Sequence, residues 1–284
     1  MNIVILCKSW NHKKVIEIVQ ALHAQALRVR GIVALAAPSQ RITLARVIHK
    51  VNEQGMASLF SHFFSNRFNR HEQLYEFVAN NGVHPPADLQ SRHGPLHITK
   101  NHQPPRLLAE YAQQQQIEMV CVQDLNSVAC VTALQQMRTE ILLFGGVPII
   151  RANILAVPKV CTLNVHMALL PEFRGMNVAE WSIFNGAPVG VTVHQVDPGV
   201  DTGAILYRET IAVSDCNTIA AMRAKVSRQQ HLVLAKCTRL LVENRLSPIL
   251  QKKSAGKQFY LMHEKLKNIV ERQLAKGYQN NSDC

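Results

Sequence analysis

"NIVILCKSWNHKKVIEIVQALHAQALRVRGIVAL", Asn2 to Leu35, decides the fold class. Asn2–Cys7 is an apolar run too short for a helix, so it reads as a buried strand. From Lys13 to Leu27 the apolar residues Val15, Ile18, Val19, Leu22 and Ala26 recur at helical spacing. Val29–Leu35 is apolar again and reads as a second strand. Strand, helix, strand is the opening of an α/β unit, with parallel strands joined by a right-handed crossover.

Outward from that unit the same alternation returns. "IEMVCVQ" (Ile117–Gln123) reads as a strand, "SVACVTALQQM" as a helix, and "EILLFGG" (Glu140–Gly146) as a strand ending in two glycines. A short helix over Ile149–Leu155 is expected next, then the strand "VCTLNV", a helix over Val178–Asn185, the strand "PVGVTVHQVD", and extended chain in "GAILYRETIAV". Residues 38–80 read as polar and helical, and the prolines of "HPPADL" and "HQPPRL" mark loops or helix starts between residues 81 and 106. Beyond residue 210 the character changes to long helical patterns, Thr218–Arg245 and Leu261–Leu274, with thirteen Lys and Arg against five Asp and Glu. The expectation is a Rossmann-like, mostly parallel α/β sheet flanked by helices over residues 1–210, followed by a helical basic C-terminal extension over 211–284.

Composition narrows the class. With 47% hydrophobic and 18% charged residues among 284, the chain can bury a sizeable core. No apolar run approaches the roughly 18 residues of a membrane helix, so no membrane partner is expected. The apolar start lacks a basic region and a cleavage site and reads as a first strand, not a leader. Seven cysteines, odd in number and without CxxC, fit reduced thiols and a cytoplasmic setting. The formal charge of +12 favours anionic partners. Aromatic and basic residues are not interleaved as stacking surfaces require, so nucleic acid is the lesser expectation. His84, His93 and His97 sit among prolines without carboxylates at ligand spacing, and no metal is expected. Cys121 and Cys130 read as core thiols.

Three polar residues stand at the ends of apolar strands: Asn164 and His166 in "LNVHMALLPEFRGMN" (Leu163–Asn177), and Asp201 in "VDPGVDTGAIL". Open α/β sheets bind ligands beyond the carboxyl ends of their strands. Asn164 and His166 share a face as i and i+2 of an extended segment. Pro and Gly flank Asp201, as in a loop that holds a carboxylate in place. Together the three suit acyl transfer to an amine. An Asn amide N–H and an imidazole stabilise an oxyanion, and a carboxylate paired with the imidazole helps move the proton, so no Ser or Cys nucleophile is needed.

From Glu140 to Leu206 the chain resembles the formyltransferase superfamily that uses 10-formyltetrahydrofolate. The likeness lies in "LLFGGVPII", "LNVHMALLPEFRG", "WSIFNG" and "GVTVHQVDPGVDTGAIL", in that order. The resemblance implies that Asn164, His166 and Asp201 form the catalytic triad. It implies a folate cleft walled by Gly145, Gly146, Val147, Pro148 and Ile149 on one side and by Val196, Asp197 and Val200 on the other, largely through backbone groups. Arg174-Gly175 would shape the turn beside the site. The chain departs from the usual pattern at Pro148, at Met167-Ala168 and at Met176-Asn177-Val178, which bears on the acceptor more than on the chemistry. The first turn, "CKSWNHKK", lacks the glycines with which the ribonucleotide-formylating branch cradles phosphate. The helical tail differs from the β-rich domain of the methionyl-tRNA branch. The implied activity is formyl transfer from 10-formyltetrahydrofolate to a small, anionic amine acceptor such as an amino sugar nucleotide. Hydrolysis of the same donor, or a non-catalytic RNA-binding scaffold, are the rivals, and a homodimer is compatible with the family.

Overall fold

The computed structural model describes residues 1–36, 106–252 and 254–279. The readings for residues 38–80, for the prolines before Arg106 and for His84, His93 and His97 lie outside the described residues. Nine strands are described: β1 (Ile3–Lys8), β2 (Val29–Leu35), β3 (Glu118–Val122), β4 (Ile141–Phe144), β5 (Cys161–His166), β6 (Phe173–Gly175), β7 (Gly190–Gln195), β8 (Ile205–Thr210) and β9 (Lys257–Phe259). The described helices are α1 (His12–Ala24), α2 (Arg106–Gln114), α3 (Val128–Gln136), α4 (Ala152–Leu155), α5 (Val178–Phe184), α6 (Ile219–Val242) and α7 (Glu264–Ala275).

Seven strands form one sheet in the order β3-β2-β1-β4-β5-β7-β8. The first five are mutually parallel, and β7 and β8 complete the sheet antiparallel. The mostly parallel α/β sheet flanked by helices is therefore the observed fold. Successive side chains of a strand point to opposite faces, and β1 shows the consequence. Ile3, Ile5 and Cys7 join a core beneath α1 and α6, whereas Val4 and Leu6 join a second core beneath α3 and α4. Burial on both faces is why the strand reads as a continuous apolar run with no alternation.

The strand order reverses between β1 and β4, and there the two carboxyl-end loops meet. Lys8 N–H donates to the Gly146 carbonyl at 3.1 Å. Asn11 stands at the N-terminus of α1, and its side chain reaches the Gly146 carbonyl at 3.3 Å in place of capping its own helix.

The helices after residue 210 share the main core. Thr218 caps α6, its hydroxyl accepting from Ala221 N–H at 3.1 Å, and Met222, Val226, Val233, Leu234 and Cys237 are buried against the sheet. Between α6 and α7 the chain returns to the sheet. Ile249 exchanges two backbone hydrogen bonds of 2.8 Å with Ile205, and β9 pairs in parallel with β6. Strands β6 and β9 were not expected from the sequence. Helix α7 starts at Glu264, not Leu261, because the His263 side chain accepts from Lys265 N–H there. Helix α4 is also shorter than expected. Asn126 binds the Ile149 carbonyl and the Arg151 N–H, which holds residues 149–151 out of the helix.

Candidate active site

Strand β5 delivers Asn164 and His166, and its antiparallel neighbour β7 sets His194 directly opposite Asn164. Pairing of β7 with β8 slips by one residue between Val193 and His194. Such irregularities bend a strand and re-aim its side chains, and here the slip falls at the residue facing the site. The loop after β7 then returns Asp201 to the same place. Asp201 sits in left-handed backbone conformation, φ 52°, which aspartate tolerates better than most residues.

The four side chains interlock. Asp201 Oδ2 lies 3.5 Å from His166 Nδ1, and Oδ1 lies 3.6 Å from His194 Nε2. Asn164 Nδ2 is 3.2 Å from His194 Nε2. Asp201 Oδ2 also accepts from the Gly175 backbone N–H at 2.9 Å. His166 Nε2 lies 2.7 Å from the Phe173 carbonyl and must donate to it. That leaves Nδ1 as the nitrogen facing Asp201, across an ion-pair distance too long for a good hydrogen bond.

His194 plays a different part. Its Nδ1 lies 2.8 Å from the Gln195 carbonyl, which can only accept, so Nδ1 carries the proton. In the neutral ring Nε2 is then the acceptor for the Asn164 amide N–H. Burial pushes the His194 pKa down, outweighing the Asp201 carboxylate beside it, and the neighbouring His166 acts in the same sense as burial. A neutral His194 therefore fixes the orientation of the Asn164 amide, whose nitrogen keeps a second N–H.

The stretch after β5 explains the turn that follows the polar pair. Thr192 Oγ1 donates to the Ala168 carbonyl and accepts from Leu170 N–H, and Arg208 binds the Leu170 carbonyl at 2.9 Å. Pinned in this way, the chain turns so that Phe173 reaches His166 and Gly175 reaches Asp201. Gly175 has φ 98°, and a Cβ there would run into the Phe259 carbonyl of β9. Arg174 is buried, and among the described residues no carboxylate lies against it. Its Nη2 donates to Gln251 Oε1 at 3.3 Å and to the Lys252 carbonyl at 3.4 Å. Helix α6 supports β5 from behind, where buried Gln230 donates to the Val165 carbonyl at 2.9 Å, between the two site residues.

The two loops expected to wall a folate cleft are neighbours. Val147 and Val196 pack on one apolar cluster, Gly146 adopts φ 90°, and Ile149 is 89% exposed. Asp197 is committed to its own loop, its Oδ1 accepting from Gly199 N–H and Thr202 Oγ1. The cysteines stand apart from this chemistry. Burial raises the Cys121 and Cys161 thiols to about 11 and those of Cys130 and Cys237 to about 12, which keeps them protonated. Among the described residues no helix is long and apolar enough to cross a membrane.

His194 and Gln251 were missed in the sequence. His194 hides in the apolar strand "GVTVHQ", where its pairing with Asn164 becomes visible only once β5 and β7 are aligned. Gln251 lies in a polar loop with no local signal.

An open α/β sheet that gathers an Asn, two His and an Asp beside its strand ends has the kinds of groups that acyl transfer to an amine can use. Residues 94–238, about half of the chain, match the family model described as formyl transferase, and the matched span includes all four side chains. The chain belongs to the formyl transferase family. It is 27% identical over 142 residues to a methionyl-tRNA formyltransferase of Nitrosomonas eutropha, covering 49% of this chain and 45% of that protein. It is 30% identical over 129 residues to the methionyl-tRNA formyltransferase of Caldanaerobacter subterraneus, covering 45% of this chain and 42% of that one. The chain thus spans less than half the length of these relatives. Among solved structures, glycinamide ribonucleotide transformylase 1 of Symbiobacterium toebii superposes with a TM-score of 0.55 at 15% identity, covering 89% of this chain and 95% of that one. A sugar N-formyltransferase of a Shewanella species gives 0.55 at 14% identity, over 97% and 87%.

Proposed function

We propose that this protein transfers a formyl group from 10-formyltetrahydrofolate to the amine of a small, anionic acceptor such as an amino sugar nucleotide. The observation that carries this reading is the convergence of Asn164, His166, His194 and Asp201 on one point beside the loop bearing Gly175. Residues Gly145–Ile149 and Val196–Val200 would hold the pterin between them, with the exposed Ile149 as an apolar wall. When bound, the folate supplies the formyl carbon. In this reading residues 1–210 form the catalytic unit and 211–284 a basic helical extension.

Asn164, held by neutral His194, presents its free amide N–H to the oxygen that gains charge as the amine attacks. His166 keeps its Nε2–H on the Phe173 carbonyl, so it is the protonated ring, with an Nδ1–H as well, that meets the developing charge. Asp201 lies against that nitrogen and accepts the proton lost by the amine, directly or through a water, and a proton is returned to the folate nitrogen as its bond to the formyl carbon breaks. No side-chain nucleophile is required, in keeping with the absence of a Ser or Cys from the hydrogen bonds of the cluster among the described residues.

The test is donor turnover by the purified chain against a panel of amines. The panel should include aminated sugar nucleotides, glycinamide ribonucleotide and methionyl-tRNA. Formyl transfer to a sugar amine supports the full reading. Transfer to methionyl-tRNA alone would move the acceptor to that of the relatives' names, and formate release without any amine would make the protein a hydrolase. No turnover and no folate binding would sink the reading altogether.

A further inference from the structure

The chain between α6 and α7 lies as a strap across the candidate site. It is fastened at one end by the paired Ile249 and Ile205, and at the other by Met262 N–H donating to Asn177 Oδ1 at 2.9 Å. Between them, Trp181 Nε1–H donates to the Tyr260 carbonyl, Phe259 stacks on Phe173 with centroids 5.2 Å apart, and β9 pairs with β6. Gly256 lets the strap come this close, since a Cβ there would run into the Pro171 carbonyl. Within this strap Gln251 makes three contacts that leave its amide one orientation. Nε2 donates to the Asp201 carbonyl at 3.0 Å and to the Gly203 carbonyl at 2.6 Å, while Oε1 accepts from Arg174. Carbonyls only accept and a guanidinium only donates, so the assignment is fixed by chemistry.

We propose that Gln251 is a positioning residue for Asp201, a residue of the C-terminal segment that holds the aspartate loop by the carbonyls of Asp201 and Gly203 and, through Arg174, ties it to the turn that carries Gly175. The proposal rests on the formyl-transfer reading for its activity readout. Asp201 needs this support because its carboxylate is aimed at His166 from a left-handed backbone position within a loop of Pro and Gly. The Asp201 carbonyl and the Gly203 carbonyl two residues on are held by one amide, so the loop cannot rotate Asp201 away without breaking these bonds. Of the two proposed folate walls, Gly145–Ile149 lies on another loop, and Val196–Val200 precedes the two carbonyls that Gln251 holds. The signature is therefore a loss in turnover with little change in donor KM.

Gln251→Glu separates positioning from support of the fold. It keeps the length and strengthens the Arg174 contact, but it puts an acceptor-only carboxylate against two carbonyls. Gln251→Met, which removes every polar contact, is made in parallel, with Asp201→Asn as the control. The full chain is assayed for melting temperature, for turnover of 10-formyltetrahydrofolate, and for the ring nitrogen signals of 15N-labelled histidine. Expected are a melting temperature close to wild type for Gln251→Glu, kcat reduced about 10- to 100-fold with donor KM within about two-fold, and His166 signals displaced in the sense that Asp201→Asn displaces them. Wild-type turnover together with unmoved His166 signals in both variants overturns the proposal. If the wild type itself turns over no donor, the formyl-transfer reading fails, and the His166 signals alone then decide the role of Gln251.

Discussion

Gly175 donates its backbone N–H to Oδ2 of Asp201 at 2.9 Å, from a turn with φ 98° whose missing Cβ is what lets the Phe259 carbonyl lie against it. One residue thus ties the turn after β5 to the aspartate loop and to the strap. Gly175→Ala adds a methyl group where the backbone conformation and the space both oppose it. A loss of about 1–3 kcal/mol in stability is expected, with turnover falling further than stability alone accounts for. Denaturant unfolding and donor turnover measure the two. A variant as stable as wild type would show that the turn relaxes without cost.

Asp201→Asn is the cleaner probe of the chemistry. Asparagine also tolerates left-handed backbone, and its Oδ1 can still accept from Gly175, so the fold should hold within about 1 kcal/mol. The charge beside His166 and the proton acceptor are lost together. Turnover should drop by about 10²–10⁴-fold, the range that general acid–base groups contribute. Turnover within a few fold of wild type would remove Asp201 from the mechanism.

Because His194 acts through Asn164, the two should behave as a unit. His194→Phe keeps a ring in the buried site but offers no acceptor to the Asn164 amide. We expect turnover to fall by about 10–100-fold. Asn164→Ala alone should cost at least as much, and the double variant should be little worse than Asn164→Ala, since interacting groups are not additive. Fully multiplicative losses would mean that His194 contributes independently of Asn164.

The strand and helix order was legible because both faces of the sheet are covered. Apolar runs such as Ile3–Lys8 and Ile141–Phe144 are then unmistakable. Asn164 and His166 stood out for the opposite reason, as polar residues interrupting an apolar strand, and Asp201 stood out by the Pro and Gly of its loop. The short strands β6 and β9 were not. Each has three residues, and Gly175 pairs with Phe259 across 84 positions, so no local pattern announces them. Gln251 escaped on the same ground, because its partners Asp201 and Gly203 lie about fifty residues upstream. What the sequence cannot display is the contact that closes a site from a distance.

The last prediction concerns the junction of α1 with α6, where His231 Nδ1 lies 3.0 Å from Glu17 Oε2. The side chain of His231 is 4% exposed whereas that of Glu17 is 40% exposed, so solvent screens the pair and burial dominates. Burial, with the charge of nearby Lys14, pushes the His231 pKa down to about 4 from its ordinary 6.5. The unfolded chain therefore takes up this proton as pH falls below 6.5, while the folded chain resists it until about 4. Stability rises with pH wherever the unfolded state binds more protons. The contribution of His231 is accordingly complete above pH 6.5 and is lost on acidification towards 4. After discounting for screening, the loss over that window is on the order of 1–2 kcal/mol. His231→Gln cannot titrate and can still donate to Glu17. Its unfolding free energy, followed by denaturant titration at pH 7 and pH 4.5, should fall less steeply than that of wild type by about that amount. Parallel pH dependences for the two proteins would show that His231 is free to protonate in the folded state.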